Sequence, residues 1–211
     1  MTDPSTSDFL LQFGSYWMPE KPVINVRIDE EKQLKGFHNG AVPPHNECCH
    51  EKIHPLWIAL QCMETAKEGG QFYLIDSREM MRSIDAGQLN QIKKTSFLVT
   101  SPKTGYFETR NLFKKHPLLD IDDLMYTTIG RKSQLKHGFK SLNKGGKEVL
   151  HVINRMLLTE KKYYLMHNWQ KGDLLIFDNY RFLHGRHAFE GKNRFLKHIR
   201  LVPKKKNLKF V

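Results

Sequence analysis

Cysteine is scarce in this chain. The 211 residues include three, Cys48, Cys49 and Cys62. An odd and sparse set excludes a disulfide framework and fits a reducing, cytoplasmic setting. Long apolar runs are missing as well. No stretch reaches the roughly 20 residues that carry a helix across a bilayer, so no membrane span is expected. Residues 1–14 open with Thr, Asp and Ser and hold no basic segment ahead of an apolar run, so no secretory signal is expected either. Repeats, Gly/Ser linkers and Pro-rich linkers are absent, which predicts a single domain over residues 1–211 with a short N-terminal region and a basic tail.

Acidic residues are in short supply: 22 against 34 Lys and Arg, a net charge of +12. The excess serves solubility, or it attracts something acidic such as nucleic acid, an anionic membrane or a carrier protein. The Lys-rich segments 131–147 and 203–209 carry much of it. No zinc-finger, RNP or helix-turn-helix pattern accompanies the charge, so the charge alone does not make a nucleic-acid binder.

What the chain does contain is a series of short strand-like segments. Residues 57–62 are apolar and β-rich, and the Gly69-Gly70 turn leads to a second strand over 71–75. A short helix follows, capped by Asp76 or Ser77, with Met80, Met81 and Ile84 turned inward. Residues 96–100 read as a strand closed by a turn at 102–105. The clearest helix spans 147–158, where Val149, Val152, Ile153, Met156 and Leu157 form one stripe at a 3.6-residue period. Strands are predicted again at 163–167, 173–177 and 194–202. Many strands and few helices favour an antiparallel sandwich or jelly roll with peripheral helices.

Two segments carry chemistry. The first is Pro43-Pro44-His45-Asn46-Glu47-Cys48-Cys49-His50. Residues two apart on an extended chain share a face, so His45 and Glu47 can grip one ion from a strand end. The second runs from Lys171 to Arg186, where His184 closes an apolar run read as a core strand. Two histidines and a carboxylate leave three octahedral positions open, which suits non-haem Fe(II). A structural zinc site needs a fourth protein ligand. With 11 histidines in the chain, a chance His-x-Glu is easy. Cys48, Cys49, His50 and His54 form a rival set, although neighbouring strand cysteines point to opposite faces.

Both segments resemble the taurine dioxygenase/clavaminate synthase-like superfamily of Fe(II)- and 2-oxoglutarate-dependent oxygenases, nearest to amino-acid hydroxylases of peptide natural-product pathways. The resemblance lies in Pro44 to Glu47, the strand ending at Cys62, Gly69-Gly70, Trp169, Gly172-Asp173, Asp178-Asn179, His184-Gly185-Arg186, Phe189, Gly191 and Arg194. It covers most of 42–77 and 147–200. It implies a mainly β, cupin-like double-stranded β-helix with iron at its mouth. His45, Glu47 and His184 would be the metal triad, and 2-oxoglutarate and O₂ the cosubstrates. Arg194 matches the arginine that holds the far carboxylate of 2-oxoglutarate, a task suited to a planar guanidinium. Asp178 and Asn179 would form a turn supporting His184.

There are departures from that pattern. Glu47 stands where many relatives have Asp. Phe72 stands where relatives place a Thr whose hydroxyl helps to hold 2-oxoglutarate. Losing such a bond costs about 0.5–1.5 kcal/mol, unless Tyr73 substitutes. The chain is short, so the site is more open or is completed by a second subunit of a dimer. A retained carboxylate argues against halogenation. The expected activity is hydroxylation or desaturation of an unactivated C–H bond in a small molecule, an amino acid or an aminoacyl group on an acidic carrier. His38, Asn46, Arg186 and His198 are candidate substrate contacts. The competing expectation is a basic jelly-roll nucleic-acid- or anion-binding protein with a degraded iron site.

Overall fold

The structure is a computed structural model that describes residues 4–29, 37–101, 104–128 and 138–204. Residues 131–137 of the Lys-rich stretch, the tail from Lys205 onward, and Pro102 and Lys103 of the expected turn lie outside the described residues.

Two antiparallel sheets face each other. Their strands are β1 (Val23–Arg27), β2 (Val42–His45), β3 (Trp57–Glu64), β4 (Phe72–Asp76), β5 (Tyr164–His167), β6 (Leu174–Asp178), β7 (Phe182–Arg186) and β8 (Phe195–Val202). One sheet has the order β1-β8-β3-β6. The other has the order β5-β4-β7-β2. Successive strands alternate between the sheets except at β4 and β5, which pair with each other. The chain therefore winds as the double-stranded β-helix that the sequence predicts. A short strand, Ser15–Tyr16, pairs with the end of β8.

Burial follows from the alternation of side chains along each strand. Ile58, Leu60 and Phe177 meet Phe72 and Leu74 between the sheets. All residues of β4 are buried, because its other face is covered as well. Tyr73, Ile75 and Leu183 pack there against an insertion between β4 and β5. The insertion holds α2 (Ser77–Arg82), α3 (Ala86–Lys94), a three-stranded antiparallel sheet and α4 (Gly146–Thr159). In α4, Val149, Ile153 and Leu157 form the buried stripe. Asp76 caps α2 by accepting from the amides of Arg78 and Glu79, as its sequence position suggests. The outer face of the first sheet is closed by α1 (Pro4–Leu10), whose Leu10 packs with Ala59, Ile199 and Leu201.

One expectation needs correction. The apolar run before His184 is not one strand that His184 ends. Asp178 Oδ1 accepts from the amides of Tyr180, at 2.8 Å, and Arg181, at 3.2 Å. This carboxylate-stabilised turn sends the chain from β6 in one sheet to β7 in the other. His184 thus sits in the middle of β7, where residues pair on both sides.

Candidate metal centre

β7 lies between β4 and β2, and its register puts His184 directly opposite His45. Directly paired residues project to the same face of a sheet, a few ångströms apart. The two imidazole centroids are accordingly 4.2 Å apart. β2 ends at His45, and the chain turns through Glu47 and Cys48, whose φ of 57° is the left-handed value rarely taken by a non-glycine residue. Glu47 stays on the face of His45. Its Oε2 lies 3.7 Å from His45 Nε2 and 4.0 Å from His184 Nε2. Among the described residues, these three form the one group of His, Cys, Asp and Glu donors that converge as a metal site does, with donor atoms within 4.8 Å of one another.

Neighbouring donors on a first-row ion stand roughly 3 Å apart, given bonds of about 2.1 Å. The three donors would therefore close by an ångström or so around an ion, and the donor set fits iron. His45 Nδ1 lies 3.0 Å from the carbonyl of Pro43. With the proton on Nδ1, that bond fixes the ring and leaves Nε2 free to ligate. Protonation states agree with ligation. Burial alone would raise the Glu47 carboxyl, but with the His45 proton on Nε2 a hydrogen bond from that ring, together with the pull of the surrounding imidazoles, holds it well below the ordinary range; on ligation the metal cation would take over that role. Burial, reinforced by His45, pushes His184 well below the usual imidazole value. An ionised carboxylate and a neutral imidazole are the forms that bind metal.

The backbone around Glu47 is fastened by two asparagines. Asn179, fully buried, accepts from the Glu47 amide at 2.7 Å and donates to the carbonyls of Glu47 and Pro55. Asn46 donates to the carbonyls of Asn179 and Phe182 and accepts from the amide of Tyr126. The turn after β6 thus fastens the backbone of Glu47, whereas the sequence reading has it supporting His184. Asn46, expected as a substrate contact, is instead buried in this network and does not line the cavity beside the triad.

A cavity of about 160 Å³ opens beside the triad. Its apolar wall includes Ile24, Val26, Phe37, Leu60, Phe72 and Leu196, and its polar lining includes Arg186, Arg194 and His198. Arg194 is buried and forms no ion pair with a carboxylate among the described residues. Its guanidinium lies 5.3 Å from the Phe189 ring centroid. Burial draws it down to about 10, so it is still a cation at neutral pH. His198 Nε2 is buried without a hydrogen-bond partner, and burial lowers this imidazole to about 4. Arg186 lines the cavity, but its guanidinium donates to the carbonyls of Gly40, His187 and His38. It anchors the segment before β2. His38 meets it through its main chain, and His38 is not among the residues that line this cavity.

Tyr73 also needs correction. It projects from the face of β4 opposite Phe72, and its hydroxyl donates to Val42 O at 3.0 Å. It cannot replace the threonine hydroxyl missing at Phe72, whose ring packs 5.8 Å from that of His184. Arg200, which the sequence reading passed over, reaches Glu47 from β8, with Nη1 3.5 Å from Oε1. Its place two residues beyond His198, on the same strand face, was the available signal. The rival set does not converge. Cys48 Sγ meets Arg200 and Glu47, while Cys49 is buried in the helical layer.

Comparison with known proteins gives concordant results. The family described as "Taurine catabolism dioxygenase TauD, TfdA family" matches residues 2–201. The 3-((Z)-2-isocyanoethenyl)-1H-indole synthase of Fischerella ambigua (strain UTEX 1903) is 24% identical over 191 residues, 85% of this chain and 70% of that protein. Two structures of PvcB, an Fe, α-ketoglutarate-dependent oxygenase from an isonitrile synthetic pathway, superpose with a TM-score of 0.71, at 19% and 20% identity. They cover 95% of this chain and 72% of PvcB, and one of them is from Pseudomonas aeruginosa. Asparagine oxygenase in complex with Fe(II), 2S,3S-3-hydroxyasparagine and succinate has a TM-score of 0.71 at 15% identity, covering 90% of this chain and 60% of that one. At these identities the superpositions establish a shared fold.

Proposed function

The chain belongs to the taurine catabolism dioxygenase TauD, TfdA family and is an Fe(II)- and 2-oxoglutarate-dependent oxygenase; from that premise we propose that His45, Glu47 and His184 hold the iron and that the substrate is an amino acid with an apolar side chain, free or carried as an aminoacyl group. The observation that carries the assignment of ligands is the convergence of one Glu47 oxygen on two imidazole Nε2 atoms at 3.7 and 4.0 Å.

Bound iron, with 2-oxoglutarate and O₂, supplies the oxidising power for an unactivated C–H bond. The protein's own tasks follow from its residues. Arg194 offers a buried cation to the far carboxylate of 2-oxoglutarate, and desolvation makes that pairing strong. Phe72, Phe177 and His184 pack together, with the Phe72 and Phe177 rings 5.8 and 5.1 Å from the His184 ring, and keep water from one side of the triad. Ile24, Val26 and Phe37 offer apolar contact to a substrate side chain, and the free His198 Nε2 offers it one polar contact. The net charge of +12 suits an acidic carrier, which supports the carrier-bound form.

The test is anaerobic addition of 2-oxoglutarate to the Fe(II) protein, followed by exposure to O₂ with a panel of free and carrier-bound amino acids. A weak visible charge-transfer band that is lost in His184→Ala supports the ligand assignment. Succinate release that rises with an apolar amino acid supports the substrate class. No band in the parent protein would overturn the ligand assignment, and a response confined to non-amino-acid substrates would overturn the substrate class.

A further inference from the structure

The two oxygens of Glu47 have different neighbours. Oε2 faces both imidazoles. Oε1 faces away, 3.5 Å from Arg200 Nη1 and 3.8 Å from Cys48 Sγ. Arg200 is itself held in place. Its guanidinium carbon lies 4.4 Å from the Trp17 ring centroid. Nη1 is 3.3 Å from Cys48 Sγ, and Nη2 is 3.6 Å from Met18 Sδ. The Trp17 amide donates to the carbonyl of Arg200, and the Trp17 indole donates to Ile53 O. The guanidinium is therefore not a wandering surface charge but a fixed donor aimed at one carboxylate oxygen.

A carboxylate can give a metal ion one oxygen or two. The distinction matters here. Two imidazoles and one oxygen leave three octahedral positions, which a two-point cosubstrate and O₂ would fill. A second Glu47 oxygen would take one of the three. Glutamate has one more rotatable bond than aspartate, so it has more freedom to swing into two-oxygen ligation. A donor on Oε1 removes that freedom.

We propose that Arg200 is a positioning residue that reserves the outer oxygen of Glu47, enforcing single-oxygen ligation and keeping three coordination positions open. This rests on the iron site proposed above. Trp17 and Met18, from the segment before β1, complete the device by clamping the guanidinium.

The experiment compares the parent protein with Arg200→Met and Arg200→Lys under anaerobic conditions, without turnover. Co(II) is titrated first, and its visible spectrum reports the coordination environment. 2-Oxoglutarate is then titrated into the Fe(II) protein. Arg200→Met is expected to keep its Co(II) affinity or bind tighter, to show a changed Co(II) spectrum, and to bind 2-oxoglutarate about tenfold or more weakly. Arg200→Lys, which restores a donor, is expected to recover most of the loss. If Arg200→Met does not fold, Trp17→Leu loosens the clamp and is expected to shift the same two readouts in the same direction. Unchanged spectrum and 2-oxoglutarate affinity in the variant would overturn the proposal. So would an equal loss of Co(II) and 2-oxoglutarate binding, which would mark Arg200 as general support. A parent protein that binds neither metal nor 2-oxoglutarate would overturn the iron site itself, a separate failure.

Discussion

Arg194 is a buried cation with no acidic side chain to answer it among the described residues. A lone buried charge is costly unless a ligand supplies the counter-charge. Arg194→Met is therefore expected to weaken 2-oxoglutarate binding by roughly 10- to 100-fold, about 1.5–3 kcal/mol for a hydrogen bond to a charged group. Arg194→Lys is expected to recover only part of it, since a point charge lacks the planar fork. Anaerobic titration of the Fe(II) protein measures both. His54 illustrates a different residue-scale effect. It is buried, its Nε2 has no partner, and burial with nearby Lys114 and Arg110 lowers it to about 3. The unfolded chain, with an ordinary imidazole near 6.5, binds more protons below that pH than the folded one does. Stability from this residue is thus full above pH 6.5 and falls as pH drops toward 3. Between pH 7.5 and 5, His54→Leu is expected to remove about 2 kcal/mol of the pH dependence, read from urea unfolding midpoints at the two pH values.

At the scale of elements, the packing of β7 against its neighbours is tightest at Gly185. A Cβ there would stand 2.6 Å from Val42 O and collide with the phenol of Tyr73. Both atoms belong to the bond that joins β4 to β2. Gly185→Ala is expected to cost roughly 3 kcal/mol, as overpacking of a tight site does, and to weaken metal binding because His184 is the adjacent residue. Thermal unfolding and Co(II) titration check the two effects together. How well each element could be read from sequence follows from its surroundings. β3 and β4 were legible because burial demands a run of apolar residues such as 57–62, and α4 because its buried stripe is regular. β1 was not foreseen: Asn25 and Arg27 interrupt it, and its strand character comes from pairing with β8. α3 was missed because Leu89 and Ile92 are its only large apolar residues. The triad was legible through His-x-Glu spacing and the family resemblance. Arg200 was hidden because, close to a basic tail, nothing in the sequence sets it apart from the solvated charges around it. Tyr73 was misplaced because β4 alternation puts it on the face away from Phe72.

For the whole molecule, a site assembled from β2, β7 and β8 links ligand binding to global stability. Fe(II) and 2-oxoglutarate bind only the folded chain, so 100-fold excess over the dissociation constant adds about 2.7 kcal/mol. For a chain of this size that amounts to an increase in melting temperature of roughly 5–10 °C. Differential scanning under anaerobic conditions measures it, and chelation of the metal is expected to reverse it. The net charge of +12 is a property of the same scale. No described helix is long and apolar enough to cross a membrane. The spacing along β8 has a further consequence for how this chain tolerates change. Leu196, His198 and Arg200 fall on alternate positions of β8, so the strand acts as a ruler graduated in steps of two. Exchanging one of these side chains would dull a single mark. Deleting one codon among them would turn every later mark to the wrong side of the sheet, so loss of one residue there would be far more damaging than any single replacement.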